Sequence, residues 1–595
     1  MAVLTIGILV LLAAFGPASA QVQCNGGDRD ALLEFKAAFI DVPSPRVPDA
    51  DFQTWLPGTN CCSWRGVNCT STGRVQGLAV QSASGQDPSR GTPPFRNSSY
   101  RGVVGASLGR LSELDYLIMT QIRWNAPIPK ELGQLSKLRE VNFGENNLTG
   151  TLPAELGKLL KLEKLEISTN LQPGPIPSSF CRLTRLTTVR LTSTRLTGSI
   201  PPCIGRWSRL VGLILSYNSL TGSIPPGLGQ TTTLVTLSLT SNQLTGTIPA
   251  NLGNLPSLES LELESNQLSG AIPPQLSRAR SLQFLRLGSN RLSKSIPASL
   301  GSLALIRTID LRENELTGSI PRELAAPSNL YSMDLSANQL TGGLPAAFGQ
   351  IDAALDFSLN VSHNKLVGPI PQNFGGIFQL DASSNYLSGA FPLSLVSCRD
   401  VRLSNNGLSS LPQATSLPQN LNPGPRIFEL RLDGNRITGP LPPWLSLLPE
   451  IFKLDISRNM ITGPVPASVL GLPSLQDLNL SNNKLDGPLP TQSFRGSARF
   501  LDLHRNRISG PITSSFLANL GTIIELDFSR NALSGPLPAD IGSYLFGINS
   551  LNLSYNKLDG KVPASISNLT DLSYLNLAYN KFTDYKVLEL YKQVL

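Results

Sequence analysis

The chain has 595 residues, of which 41% are hydrophobic and only 15% charged, with 51 glycines and 46 prolines to turn it often. That is the balance of a soluble chain, and its evenly spread apolar residues fit many short segments that each add a little core. The net charge of +8 is mild; it permits attraction to acidic partners such as pectin-like polymers but reads first as a solubility charge.

Residues 1–20, MAVLTIGILVLLAAFGPASA, form an apolar run closed by Ala18-Ser19-Ala20, which reads as a secretory signal peptide cut after Ala20. The run is shorter than the roughly 18 residues that a membrane span needs. No later segment reaches that length without charges, prolines or glycines, so export without direct membrane insertion is expected. Cysteine usage fits an oxidising compartment. Cys24, Cys61, Cys62 and Cys69 crowd together, Cys181 and Cys203 stand apart from them, and Cys398 is alone. Adjacent Cys61-Cys62 with no histidine nearby is poor zinc-ligand spacing, and the four early cysteines alone leave their pairing open.

Beyond RVQGLAV (74–80) the chain repeats itself. Asn146, Asn170, Asn218, Asn242, Asn266, Asn290, Asn314 and Asn338 sit on a 24-residue grid, with Ile122 and Thr194 in the same slot. The grid loosens but continues through Asn364, Asn385, Asn406, Asn435, Asn459, Asn483, Asn506, Asn531, Asn556 and Asn580, which with RVQGLAV makes about 21 coils. Each unit reads LxxLxLxxNxLxGxIP. Leu237-x-Leu239 has the period of a short strand with its leucines inward. Asn242 follows at a turn, where its amide can satisfy backbone groups of neighbouring coils. Gly246 permits a tight bend, and Ile248-Pro249 starts the extended return. One coil cannot bury its own leucines, so the units must stack.

This is the leucine-rich-repeat signature, and its GxIP half resembles the plant extracellular class: receptor-like kinase ectodomains, receptor-like proteins and polygalacturonase-inhibiting proteins. The resemblance covers roughly residues 24–580. It implies an α/β solenoid, a curved superhelix with a parallel sheet on its concave side and an N-terminal disulfide cap. The cap spans 21–73 and the repeats 74–580, with Leu32, Leu33, Phe35 and Phe39 on one face of a cap helix and Trp55 and Trp64 packed beside it. The resemblance pairs Cys24 with Cys61 and Cys62 with Cys69. Cys181 and Cys203 each follow an Ile-Pro on consecutive coils, where a cross-coil disulfide is expected, and Cys398 is expected to be a buried free thiol. Residues 81–102 read as an exposed loop insertion, and 407–435 as one irregular, lengthened coil. The tail 581–595 departs from the class: Val587, Leu590, Tyr591 and Val594 share a helical face that could cap the last coil, or the chain is a shortened receptor product.

Enzyme chemistry is not expected. His363 and His504 lie about six coils apart, and no nucleophile elbow, phosphate loop or histidine-pair metal motif is present. No cofactor, metal or nucleic-acid partner is expected. A binding surface remains. With the asparagine at position n, residues n−6, n−4, n−2, n−1 and n+1 face outward, and consensus LDLS or LNLS filler such as Asp334, Asp455 and Asp527 carries little information. Departures do. One group holds Tyr116, Ile118, Arg123, Trp124, Glu140, Glu145, Lys164, Glu166, Arg190, Arg195, Ile214 and Tyr217. A second holds Glu262, Glu264, Phe284, Arg286, Arg291, Asp310, Arg312 and Glu313. Arg431, Arg436, Arg458, His504, Arg505, Arg507 and Arg530 make a basic column, in which Arg505 and Arg507 flank an inward Asn506 and could share one carboxylate unless neighbouring aspartates neutralise them.

Glycosylation sequons occur at Asn68, Asn97, Asn147 and Asn568, and at Asn360, Asn479 and Asn552 within filler. The sequence thus predicts a secreted recognition protein whose concave face binds a peptide, a protein or an acidic wall polysaccharide, with a membrane co-receptor to carry any signal. Inhibition of a microbial polygalacturonase and a truncated receptor-kinase ectodomain are the alternatives.

Overall fold

The computed structural model describes residues 22–40, 52, 54–81, 106–122, 124–419, 421 and 424–584. The expected signal peptide, most of the 81–102 insertion with Asn97, Arg123, the Phe39 side chain and the tail residues Val587, Leu590, Tyr591 and Val594 lie outside the described residues. The chain forms two units, Met1–Thr221 and Gly222–Leu595.

In the first unit a helix, Gly26–Ile40, covers the open end of the repeat stack. Ala31, Leu32 and Phe35 are fully buried, whereas Leu33 is half-buried. Asp28, 2% exposed, fixes the helix to the first coil: its carboxylate takes hydrogen bonds of 2.9 Å from Arg74 Nε and from the Val75 backbone N–H. A buried carboxylate needs such partners. Trp55 and Trp64 stack at 5.4 Å beside the helix. Cys24 is bonded to Cys61 and Cys62 to Cys69, closing the cap, and Cys181 is bonded to Cys203 across two coils. Val67–Cys69 runs antiparallel to Val75–Gln81. From there the strands Tyr116–Thr120, Glu140–Asn142, Lys164–Glu166, Thr188–Arg190 and Gly212–Ile214 follow in parallel register, one per coil.

The second unit repeats the same coil. Leu285 pairs in parallel register with Leu261 before it and Ile309 after it, all three fully buried. The asparagine ladder closes each turn. Asn266 Oδ1 accepts from the Leu244 backbone N–H, and its Nδ2 donates to the carbonyls of Leu239, Leu263 and Glu264. One side chain thus satisfies backbone groups of two coils. Gly246 has φ +79° and a Cβ there would meet the Ser223 Cβ at 3.3 Å, which is why the bend is glycine. After Pro249 the return begins with a short 3-10 turn, Ala250–Asn254. The irregular coil over 407–435 does not interrupt the sheet: Asp400–Arg402 still pairs with Glu429–Arg431, and Leu408 N–H still reaches Asn435 Oδ1. Cys398 is a buried free thiol. Among the described residues no helix is long and apolar enough to cross a membrane.

Candidate ligand-binding face

Two local features aim side chains out of the sheet. Strand alternation buries every second residue, as in Tyr116–Thr120, where Leu117 and Met119 point inward and Tyr116, Ile118 and Thr120 do not. The residue before each asparagine then takes the left-handed conformation, at Glu145, Ser241, Glu313, Arg458, Arg505, Arg530 and Tyr555 among others. Left-handed backbone is costly for a residue with a Cβ, so stacking of the coils imposes it.

In the first unit most charges on this face are already paired. Lys164 bonds Glu140 at 3.3 Å, Arg190 lies 3.6 Å from Glu166, and Gln121 donates to Glu145 at 2.7 Å. Glu166 is pushed above the usual carboxylate range by burial, with Arg190 pulling the other way. The Tyr116 ring lies directly over Gly77, where any Cβ would strike it. Trp124 is not on the face. It sits two residues past the ladder slot, in the position leucines fill elsewhere, 1% exposed and edge-on to Phe143 at 5.2 Å. Arg195 and Tyr217, both exposed, instead line an open cleft of about 410 Å³ with Leu171, Asn147, Ser193 and Ser219. Asn147 is an exposed sequon asparagine, so a glycan there would shield this cleft.

In the second unit the predicted basic residues divide into two sets. Arg286 bonds Glu262 at 2.9 Å and lies 5.3 Å from the Phe284 ring centre, and Arg312 bonds Asp310 at 2.7 Å. Burial pushes the carboxyls of Glu264 and Asp310 up. Arg402 and Arg431 both grip Glu429; burial opposes its ionisation, but their hydrogen bonds hold its carboxyl below the usual range. Arg458 pairs with Asp433. Glu429 and Asp433 therefore neutralise Arg431 and Arg458. They do not neutralise Arg291, Arg436, Arg505 or Arg507, which are exposed and have no ion-pair partner among the described residues. Between the last two, Asn506 turns inward to donate to Leu480 O and accept from Leu485 N–H, leaving the guanidinium groups on the outside.

Two aromatic groups had gone unread in the sequence. Arg530 lies 4.2 Å over the Tyr555 ring, which stacks at 4.1 Å on Tyr579. These are three successive residues of the slot before the asparagine, so following that slot alone would have found them. Phe428 stacks on Phe452 at 4.9 Å, and Arg399 lies 4.6 Å from the Phe428 ring. They occupy n−7, a slot outside the expected outward set.

A strand, an asparagine turn and a glycine-proline return, repeated beneath a disulfide cap, define a leucine-rich-repeat protein with an open sheet face. The family model described as leucine rich repeat N-terminal domain matches residues 25–70, and leucine rich repeat models match 232–292, 425–485, 137–159, 209–231, 329–351 and 547–569. Polygalacturonase inhibitor of Vitis vinifera is 30% identical over 125 residues, 20% of this chain and 35% of that protein. Phytosulfokine receptor 2 of Arabidopsis thaliana is 30% identical over 117 residues, 19% of this chain and 9% of its own. The chain thus matches about a third or less of these relatives' length.

Among solved structures, the ectodomain of the Arabidopsis thaliana receptor kinase GASSHO1/SCHENGEN3, in complex with CASPARIAN STRIP INTEGRITY FACTOR 2, is 32% identical. Its TM-score is 0.73, over 93% of this chain and 64% of that one. The structure of PEPR1 with AtPEP1 is 30% identical, with TM-score 0.74 over 93% and 79%. The Arabidopsis receptor kinase HAESA, with the peptide hormone IDA and the co-receptor SERK1, is 29% identical, with TM-score 0.72 over 94% and 90%. The chain is a plant-type extracellular leucine-rich-repeat protein, similar to receptor-kinase ectodomains and to polygalacturonase inhibitors.

Proposed function

We propose that the chain is a non-enzymatic extracellular recognition protein that binds a peptide along the sheet face of its second unit, and that Arg505 and Arg507 receive a carboxylate of that ligand. The observation that carries this reading is their freedom. Arg431, Arg458 and Arg530 are engaged by Glu429, Asp433 and Tyr555, whereas these two are exposed on either side of an inward asparagine. Two guanidinium groups set on either side of one turn can donate charge-assisted hydrogen bonds to one anion. The complex of the similar HAESA receptor kinase with a peptide hormone and a co-receptor supports a peptide as the ligand class. Affinity capture of peptides on the purified chain, compared with an Arg505→Ala/Arg507→Ala double variant, tests this: the double variant loses the ligands that the native face retains.

A second reading, inhibition of a secreted polygalacturonase, is supported by the matched stretches of two polygalacturonase inhibitors. Residual activity of fungal polygalacturonases with the purified chain added separates the two readings.

A further inference from the structure

Around Asn506 the slot two residues before each ladder asparagine holds a serine: Ser457, Ser481, Ser529 and Ser554. Such serines satisfy the aspartate or asparagine two residues earlier, as Ser481 Oγ does on Asn479 Oδ1 at 2.7 Å and Ser554 Oγ on Asn552 Oδ1 at 2.8 Å. One coil breaks the rule with His504. Its Nδ1 lies 2.8 and 3.0 Å from the two carboxylate oxygens of Asp502. Its Nε2 lies 2.9 Å from the Asn482 amide nitrogen.

Asp502 pairs in parallel register with Asp527 on the next strand, which sets two carboxylates one rung apart on the same face. Ligand atoms of Asp502, His504 and Asp527 all lie within 4.8 Å of one another, and all three residues are half-buried. Like charges one rung apart repel unless a cation lies between them. Arg and Lys do not supply it. Among the described residues Asp527 has no basic partner; it accepts from Asn552 Nδ2 at 2.9 Å and the Ser529 N–H at 2.8 Å. Arg530, in the coil of Asp527, lies instead over Tyr555.

We infer that Asp502, His504 and Asp527 bind one first-row divalent metal ion, Zn²⁺ or Mn²⁺, on the sheet face of the second unit. One imidazole and two carboxylates suit these ions, and three protein ligands on an open face leave coordination positions toward solvent. The ion takes His504 at Nδ1 in its neutral form. The ring hydrogen moves from Nδ1 to Nε2, and Asn482 turns its amide so that its oxygen accepts that hydrogen. Asn552 and Ser529, already bonded to Asp527, hold that carboxylate in place.

The ion needs no peptide, so its binding is read apart from ligand capture. Isothermal titration of the purified full chain, dialysed against chelator, with ZnCl₂ and with MnCl₂ is expected to show one equivalent bound. His504→Ser, which installs the ordinary occupant of the slot and should leave the metal-free melting temperature unchanged, weakens that binding at least about tenfold. Asp527→Asn does the same, while His363→Ala, at the exposed histidine of another coil, leaves it intact. No saturable binding by the native chain, or equal binding by the His504→Ser variant, would overturn the assignment and leave an adventitious ion only.

Discussion

Thr194 Oγ1 stands 3.1 Å from the Leu191 carbonyl oxygen and 3.0 Å from Asn218 Oδ1, doing with one hydroxyl part of what a ladder asparagine does with its whole amide. A hydroxyl has one hydrogen to share between them. In the preceding coil Gln172 fills the slot that Leu148 and Leu196 fill on either side. It is fully buried, and among the described residues neither amide atom has a hydrogen-bond partner. Gln172→Leu is therefore expected to stabilise the first unit by about 1–3 kcal/mol, seen as a higher urea midpoint. An unchanged midpoint would mean that the buried amide is already satisfied.

The fold was legible because one spacing serves both core and turn. Leucines at fixed offsets from each asparagine can point only inward, and the ladder amide can bond only its own and its neighbouring coils. The site was legible by slot but not by pairing. Whether Arg458 meets Asp433 or Arg402 meets Glu429 depends on side chains reaching across coils, which no single repeat encodes. Trp124 shows the opposite error. Its residue type suggested a ligand contact, but its offset from Ile122 is that of a core leucine, and the offset decides.

Cys398 is expected to be silent toward alkylation. Burial pushes its thiol up to about 12, with the nearby Arg426 charge pulling it only part of the way back. The reactive thiolate is then scarce at pH 8, and the sulfur is enclosed. Iodoacetamide labelling followed by mass spectrometry should show no modification of the native chain and one label on Cys398 after denaturation without reduction. Labelling of the native chain would contradict the burial.

Glu264 gives a pH dependence of defined sign. Burial raises its carboxyl above the usual range, and the Thr240 Oγ1 hydrogen bond opposes that shift. The folded chain thus keeps this proton at pH values where the unfolded chain has released it. This group's contribution is greatest below the ordinary carboxylate range and is lost as pH rises from the unfolded to the raised folded value. Glu264→Gln removes the titration, so the stability of the variant relative to the native chain should rise across that window in urea melts at a series of pH values. A difference that stays flat with pH contradicts the assignment.

Glycan placement should follow amide engagement. Asn360, Asn479 and Asn552 lie in strands with Nδ2 bonded to Asp334, Asp455 and Asp527. Asn68, Asn147 and Asn568 are exposed. Glycopeptide mapping of secreted protein is expected to find sugar at the exposed set and none at the strand set. A glycan on Asn479 or Asn552 would cover the face beside Arg505.

The most direct measurement compares peptides that differ only at the C-terminus. Peptides captured on the native chain are resynthesised with a free carboxylate or an amide, and their affinities are measured on the native chain and on the Arg505→Ala/Arg507→Ala variant. A carboxylate held by two free guanidinium groups predicts a loss of about tenfold or more on amidation, and no further loss when the arginines are also absent. Equal affinity of both peptides for both proteins would contradict a carboxylate site at Arg505 and Arg507.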